Sequence, residues 1–198
     1  CNVCPIGYES SPDYTACNSG IVCTKGERIS LGIGISCDTC RGDTYQDETN
    51  HQQSECKQCQ NACGDGTYVT TLCSATTGPR ECGNCPSGYH QNELKQLNCK
   101  ECGPGKFSET DGASECASCP GGKYQPLTKQ ILGSSCKPCV AGTFSNIGAS
   151  TCEECTAGKF SETDGASECA SCPGGKYQPL TKQILGSSCK PCVAGTFS

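Results

Sequence analysis

The 198-residue chain has no methionine, no tryptophan, four phenylalanines and seven tyrosines. Leu, Ile, Val and Phe together number 25, about 13 %, where less than roughly 20 % normally accompanies disorder. So few large apolar side chains cannot bury enough surface to offset the entropy of ordering the backbone, which excludes an ordinary globular core. No apolar run is long enough to cross a membrane as a helix. The formal net charge is −5, with acids and bases interspersed, and no basic stripe is available to neutralise phosphates. Nucleic acid is therefore not an expected partner. Histidine occurs only at His51 and His90, in polar, loop-like stretches, without a nucleophile elbow or a histidine cluster beside them. The expectation is a protein that is not an enzyme. No Asn-x-Ser/Thr site occurs, so any glycan is expected to be O-linked to Ser or Thr.

Cysteine is abundant instead. Its 24 residues make up about one position in eight, above the roughly 8–10 % that marks a disulfide scaffold. In the chain-entropy model a bridge closing about 15 residues removes roughly 3 kcal/mol of denatured-state entropy. Closely spaced bridges can thus hold a fold that lacks a core. Bridges persist where the surroundings are oxidising, which places the chain outside the cell, secreted or on a surface.

The second abundance is repetition. Residues Gly105 to Ser145 recur without a substitution as Gly158 to Ser198, an offset of 53 residues. A smaller unit, C-x-x-C-x-x-G-[KT]-[FY], begins at Cys99, Cys116 and Cys136 and restarts at Cys152, Cys169 and Cys189. Cys1 to Tyr8 and Cys82 to Tyr89 carry the same signature with one residue fewer. Ten of the eleven aromatic residues follow a cysteine by four or five positions, Tyr14 being the exception. That regularity predicts one aromatic per module as the main apolar filler, laid against a disulfide and the next module. The glycine before it suits a turn with positive φ. Strands are expected to be two or three residues long, and the best helical stretch, Pro126 to Leu132, to make a single turn stopped at Gly133. The fold class expected is small and disulfide-rich: an elongated rod of tandem short modules with minimal β-hairpins, almost no helix and no continuous hydrophobic core.

Two families are resembled by these cysteines. The stretch from Cys40 to Cys85, with cysteines at 40, 56, 59, 63, 73, 82 and 85, resembles a tumour-necrosis-factor-receptor cysteine-rich domain. That resemblance implies Cys40–Cys56, Cys59–Cys73 and Cys63–Cys82, although Cys59-x-x-x-Cys63 holds three residues where the family usually has two. From Cys85 onward the CxxCpaGtfs…gassC pattern resembles the ephrin-receptor-like cysteine-rich repeats. Here the resemblance implies single-loop modules, Cys85–Cys99, Cys102–Cys116, Cys119–Cys136, Cys139–Cys152, Cys155–Cys169 and Cys172–Cys189. By extension it implies Cys4–Cys17 and Cys23–Cys37. The division expected is residues 1–39 as degenerate modules, 40–85 as the receptor-like domain, 86–151 as single-disulfide modules and 152–198 as a second, partly complete copy of the repeat. Cys1 and Cys192 are left without partners, from which a segment of a longer repeat protein is expected.

Other motifs compete with plainer readings. Ten Cys-x-x-Cys pairs have zinc-ligand spacing, but they run on without a break and histidine is scarce. Redox chemistry would need a helix N-terminus that none of them precedes. Arg41-Gly42-Asp43 is an integrin-type tripeptide, or simply the turn after Cys40. Glu109, Asp111 and Glu115, repeated as Glu162, Asp164 and Glu168, form an acidic loop that could take calcium or stay solvated. No other cofactor is expected. The functional expectation is an extracellular structural or adhesive repeat protein, part of a surface coat, appendage or filament. Its expected partners are further copies of itself or neighbouring structural proteins. A ligand-binding receptor ectodomain is the alternative.

Overall fold

The computed structural model describes residues 9–10, 17–18, 20–32, 34–59 and 62–193. Among them lie ten two-stranded sheets, two 3-10 turns and no α-helix. The chain is a series of tandem, disulfide-rich modules. Most strands are two residues long, and the C-x-x-C spacing explains why. The two residues between the cysteines pair, antiparallel, with the dipeptide that ends in the aromatic. Lys106 lies opposite Ser118 and Phe107 opposite Ala117; Thr44 and Tyr45 face Gln58 and Lys57 in the same way. The first cysteine of each pair closes one loop and the second opens the next, as in Cys102–Cys116 followed by Cys119–Cys136. Adjacent modules therefore share a two-residue strand.

The chain divides into two units. One holds residues 1–64, 68–83 and 94–97; the other holds 65–67, 84–93 and 98–198. The first contains the longest hairpin, Glu27–Gly32 against Gly34–Thr39, longer than the two or three residues expected of any strand. Its sequence, with isoleucine or leucine at every second position from Ile29, has the period of a strand. In the second unit the stretch before Gly133 is not helical. A 3-10 turn covers Gly133–Ser135 instead, and again Gly186–Ser188. The backbone of residues 126–132 is committed elsewhere: Leu127 N–H donates to the Gln125 side chain, and Gln130 C=O accepts from Ser108 N–H.

The interior is made of cystine sulfur and polar side chains. Cys23, Cys85, Cys102, Cys119, Cys139 and Cys155 have no exposed surface, and Ile29 and Val69 are the only buried aliphatic side chains among the described residues. The aromatic residues reach the next module, as the Phe107 and Phe160 rings do at Gly133 and Gly186, but they are not its most buried groups. Tyr45, Tyr68, Tyr89, Phe107, Tyr124, Phe144 and Phe160 are half-buried and Tyr177 is exposed. The fully buried side chain comes one or two residues later: Gln46, Gln91, Ser108, Gln125, Ser145, Ser161 and Gln178. Three of the four buried glutamines, Gln91, Gln125 and Gln178, are satisfied because the amide closes its own loop, whereas Gln46 Nε2 is buried without a partner. Gln125 donates from Nε2 to Ser135 C=O at 2.6 Å while its Oε1 accepts from Leu127 N–H, and Gln178 repeats both bonds with Ser188 and Leu180.

Candidate functional site

Where the described residues form no aliphatic core, the groups that could do something lie where one module meets the next. Each junction in the second unit is closed by the same three backbone hydrogen bonds. Between Cys102–Cys116 and Cys119–Cys136, Gly105 N–H donates to Gln125 C=O, Ser108 N–H to Gln130 C=O and, in return, Lys129 N–H to Cys102 C=O. The distances are 2.7, 3.0 and 2.8 Å, and the second copy gives the same three for Gly158–Gln178, Ser161–Gln183 and Lys182–Cys155. The next junction uses Gly122, Gln125 and Gly148 as donors toward Ser145, Ala149 and Cys119. These groups would otherwise be buried and unpaired, so each module completes the one before it.

The geometry asks for glycine at one position and tolerates lysine at another. The first donor always has positive φ, as at Gly88, Gly105, Gly122, Gly142 and Gly158. It also faces the module after next. A Cβ on Gly105 would collide with the carbonyl of Gly148, and one on Gly122 with that of Gly165. The returning donor has positive φ too, at Gly112, Gly148 and Gly165, but Lys129 and Lys182 occupy it at φ 58° and 57°. At the equivalent glycines the nearest atoms stand 3.4 to 3.9 Å from the β-position, room enough for a side chain, and the lysine ammonium groups reach Glu101 at 2.8 Å and Glu154 at 3.3 Å. Hydrogen bonding to Glu101, then to the Tyr89 hydroxyl, holds the Lys129 ammonium above the usual lysine range.

The acidic loop takes part in the same junctions. Asp111 accepts from Ser87 N–H at 2.7 Å, and Glu109 from Gly133 N–H at 2.8 Å. Asp164 and Glu162 do the same for Ala141 and Gly186. These carboxylates, read in the sequence as calcium ligands or a solvated loop, bind backbone N–H groups of neighbouring modules. Among the described residues, one set of ligand atoms comes close enough to hold a metal, Cys23, Glu27 and Cys37, and its two sulfurs are joined to each other.

The structure joins ten pairs of cysteines among the described residues. In the first unit these are Cys23–Cys37, Cys40–Cys56, and the interlaced Cys59–Cys73 and Cys63–Cys82. In the second they are Cys85–Cys99, Cys102–Cys116, Cys119–Cys136, Cys139–Cys152, Cys155–Cys169 and Cys172–Cys189. Cys192 is a free thiol. Cys1 and Cys4 lie outside the described residues, and with Cys4 the expected Cys4–Cys17 pairing.

Arg41, Gly42 and Asp43 form an exposed turn, with Gly42 at φ 64°. The two charged ends have different neighbours. Arg41 lines a polar cleft of about 760 Å³ with Arg28, Asp38, Thr39, Thr44, Glu55 and Gln58, whereas Asp43 lies 4.0 Å from Arg80 and 3.8 Å from Lys95. His51, polar and loop-like in the sequence, is 6 % exposed. Its Nδ1 accepts from Gln53 N–H and its Nε2 lies 3.2 Å from Thr24 C=O, while its backbone exchanges two bonds with Cys23. It ties the Cys23–Cys37 loop to the Cys40–Cys56 loop, a role that no sequence signal announced.

Residues 66–115 and 142–182 match the family model described as tyrosine-protein kinase ephrin type A/B receptor-like. The matched modules are similar to ephrin-receptor-like cysteine-rich repeats. A 102-residue stretch, 52 % of the chain, is 32 % identical to the Mus musculus protein "Sushi, von Willebrand factor type A, EGF and pentraxin domain-containing protein 1", of which it spans 3 %. Ephrin-receptor-like modules, ten disulfides and this relative agree on an extracellular or cell-surface repeat protein. Among the described residues no helix is long and apolar enough to cross a membrane.

Proposed function

We propose that the chain is a structural and adhesive component, a length of a surface coat, appendage or filament, and that it is not an enzyme. One observation carries this reading: successive modules are joined by an identical set of three backbone hydrogen bonds, and the 53-residue period repeats those bonds without alteration. Backbone donors and acceptors are the same in every module, so a junction of this kind can be extended indefinitely.

On this reading residues 86–151 and 152–198 are successive lengths of one repeating thread, while 1–39 and 40–85 are its more divergent modules. Secretion, O-linked glycans and partners drawn from the same structure belong to the same proposal. Electron microscopy of the native material is expected to show filaments or a periodic coat. Isolated particles attached to a membrane-bound signalling protein would overturn it in favour of a receptor ectodomain. The observation favouring that second reading is the polar cleft lined by Arg28, Arg41, Asp38 and Glu55. The adhesive part rests on the exposed Arg41-Gly42-Asp43 turn. Cell attachment to surfaces coated with the chain is expected to fall when Asp43→Glu is introduced, and equal attachment removes the adhesive role.

A further inference from the structure

The sequence contains three Asp–Gly steps, Asp65–Gly66, Asp111–Gly112 and Asp164–Gly165, and no Asn–Gly step. Aspartate isomerises most readily before glycine, whose missing β-carbon leaves the amide nitrogen unobstructed. That nitrogen attacks Cγ of the aspartate. A C–N bond forms, one carboxyl oxygen leaves as water with the carboxyl and amide protons, and a five-membered succinimide results. Water then opens the ring at the main-chain carbonyl, so that the chain runs through Cβ and Cγ as isoaspartate. One water is released and one is taken up, and no other reactant is needed.

All three steps lie at module junctions, which hold the two reacting groups to different degrees. The attacking N–H is committed each time: Gly66 donates to Gln91 C=O, Gly112 to Cys85 C=O and Gly165 to Cys139 C=O, all at 2.7 Å. The carboxylate is committed only twice. Asp111 accepts from Ser87 N–H at 2.7 Å and Asp164 from Ala141 N–H at 2.8 Å, whereas the Asp65 carboxylate is exposed with no partner among the described residues. Position is the cause. Asp65 precedes a first-donor glycine, as Ser87 and Ala141 do, whereas Asp111 and Asp164 precede returning donors. A charge-assisted bond must break before Asp111 or Asp164 can close the ring, and breaking it opens the junction. We propose that Asp65 is the site at which the folded chain forms isoaspartate, and that the junctions protect Asp111 and Asp164 until a module opens. Conversion at Asp65 adds one carbon to the main chain beside Gly66, whose C=O accepts from Cys85 N–H at 2.8 Å. The modification therefore loosens the junction in which Gly66 takes part.

Storage of the oxidised full chain at neutral pH, followed by reduction, trypsin digestion and isoaspartate mapping by mass spectrometry, tests this. Asp65 falls in the peptide of residues 58–80, while Asp111 and Asp164 fall in residues 107–123 and 160–176, which share one sequence. Isoaspartate is expected to accumulate in the 58–80 peptide about tenfold faster than in the shared peptide, a factor equivalent to about 1.4 kcal/mol. In chain reduced and alkylated before storage, the three sites are expected to convert at similar rates, the shared peptide gaining most. Equal rates in the oxidised chain, or a difference that survives reduction, overturns the proposal. Asp65→Glu, whose longer side chain cannot close a five-membered ring, is expected to lose the signal from residues 58–80. A signal that persists in that variant assigns the modification elsewhere and likewise overturns it. The outcome is independent of the filament reading, which microscopy judges separately.

Discussion

The position with the least freedom in each module is the glycine that donates to the next module. At Gly105 two independent demands meet: φ is +76°, which costs a β-carbon roughly 1 kcal/mol or more, and the Gly148 carbonyl fills the space a β-carbon would need. Gly158 occupies the same place in the second copy with φ +81° but meets no described residue within 4 Å of its β-position. The pair is an internal control. Gly158→Ala is expected to cost about 1 kcal/mol of local stability, and Gly105→Ala to cost more, since backbone rather than a flexible side chain must move. Native-state hydrogen exchange at the amides of residues 105 and 158 in the two variants measures both. Equal losses would show that φ alone selects glycine. The sequence displayed this glycine in every module and suggested the turn. It could not show the carbonyl two modules away, because that approach depends on how modules stack.

At the scale of the element, the two-residue strand shared by neighbouring modules is too short to be stable alone. Its register is held by the bridges on either side, and its junction by three backbone bonds and a carboxylate. Removing one bridge with Cys102→Ala and Cys116→Ala is expected to lose roughly 3 kcal/mol. The loss should be confined to the opened module and its two junctions. Amides of residues 155–169, whose sequence is the same from Gly158 onward, are expected to keep their exchange protection. Loss of protection throughout would show long-range cooperativity that this construction does not supply. Hairpins and the near absence of helix were legible in the sequence from spacing and composition. The 3-10 turn at Gly133–Ser135 was not, because it follows from the grip of buried Gln125 on Ser135. Nothing in a glutamine, ordinarily a surface residue, marks it as interior.

At the scale of the whole molecule, stability is a sum of junctions and bridges, since the described interior contains only Ile29 and Val69 besides cystine and polar groups. Complete reduction is expected to abolish ordered structure without leaving a species that melts sharply, as followed by circular dichroism during heating. A cooperative transition surviving full reduction would contradict it. The sequence by itself determined the class of molecule. Too few apolar residues excluded a core, cysteine supplied the alternative, and the 53-residue identity required a repeated construction in an oxidising compartment. Those conclusions need only counting and spacing, because composition limits what a chain can bury. Tertiary structure decided which groups meet. It placed glutamine and serine inside, left leucine outside, turned the acidic loops toward backbone N–H groups and gave each module its neighbour as partner. Such choices turn on distances of an ångström between residues 20 to 45 positions apart, which no local pattern encodes.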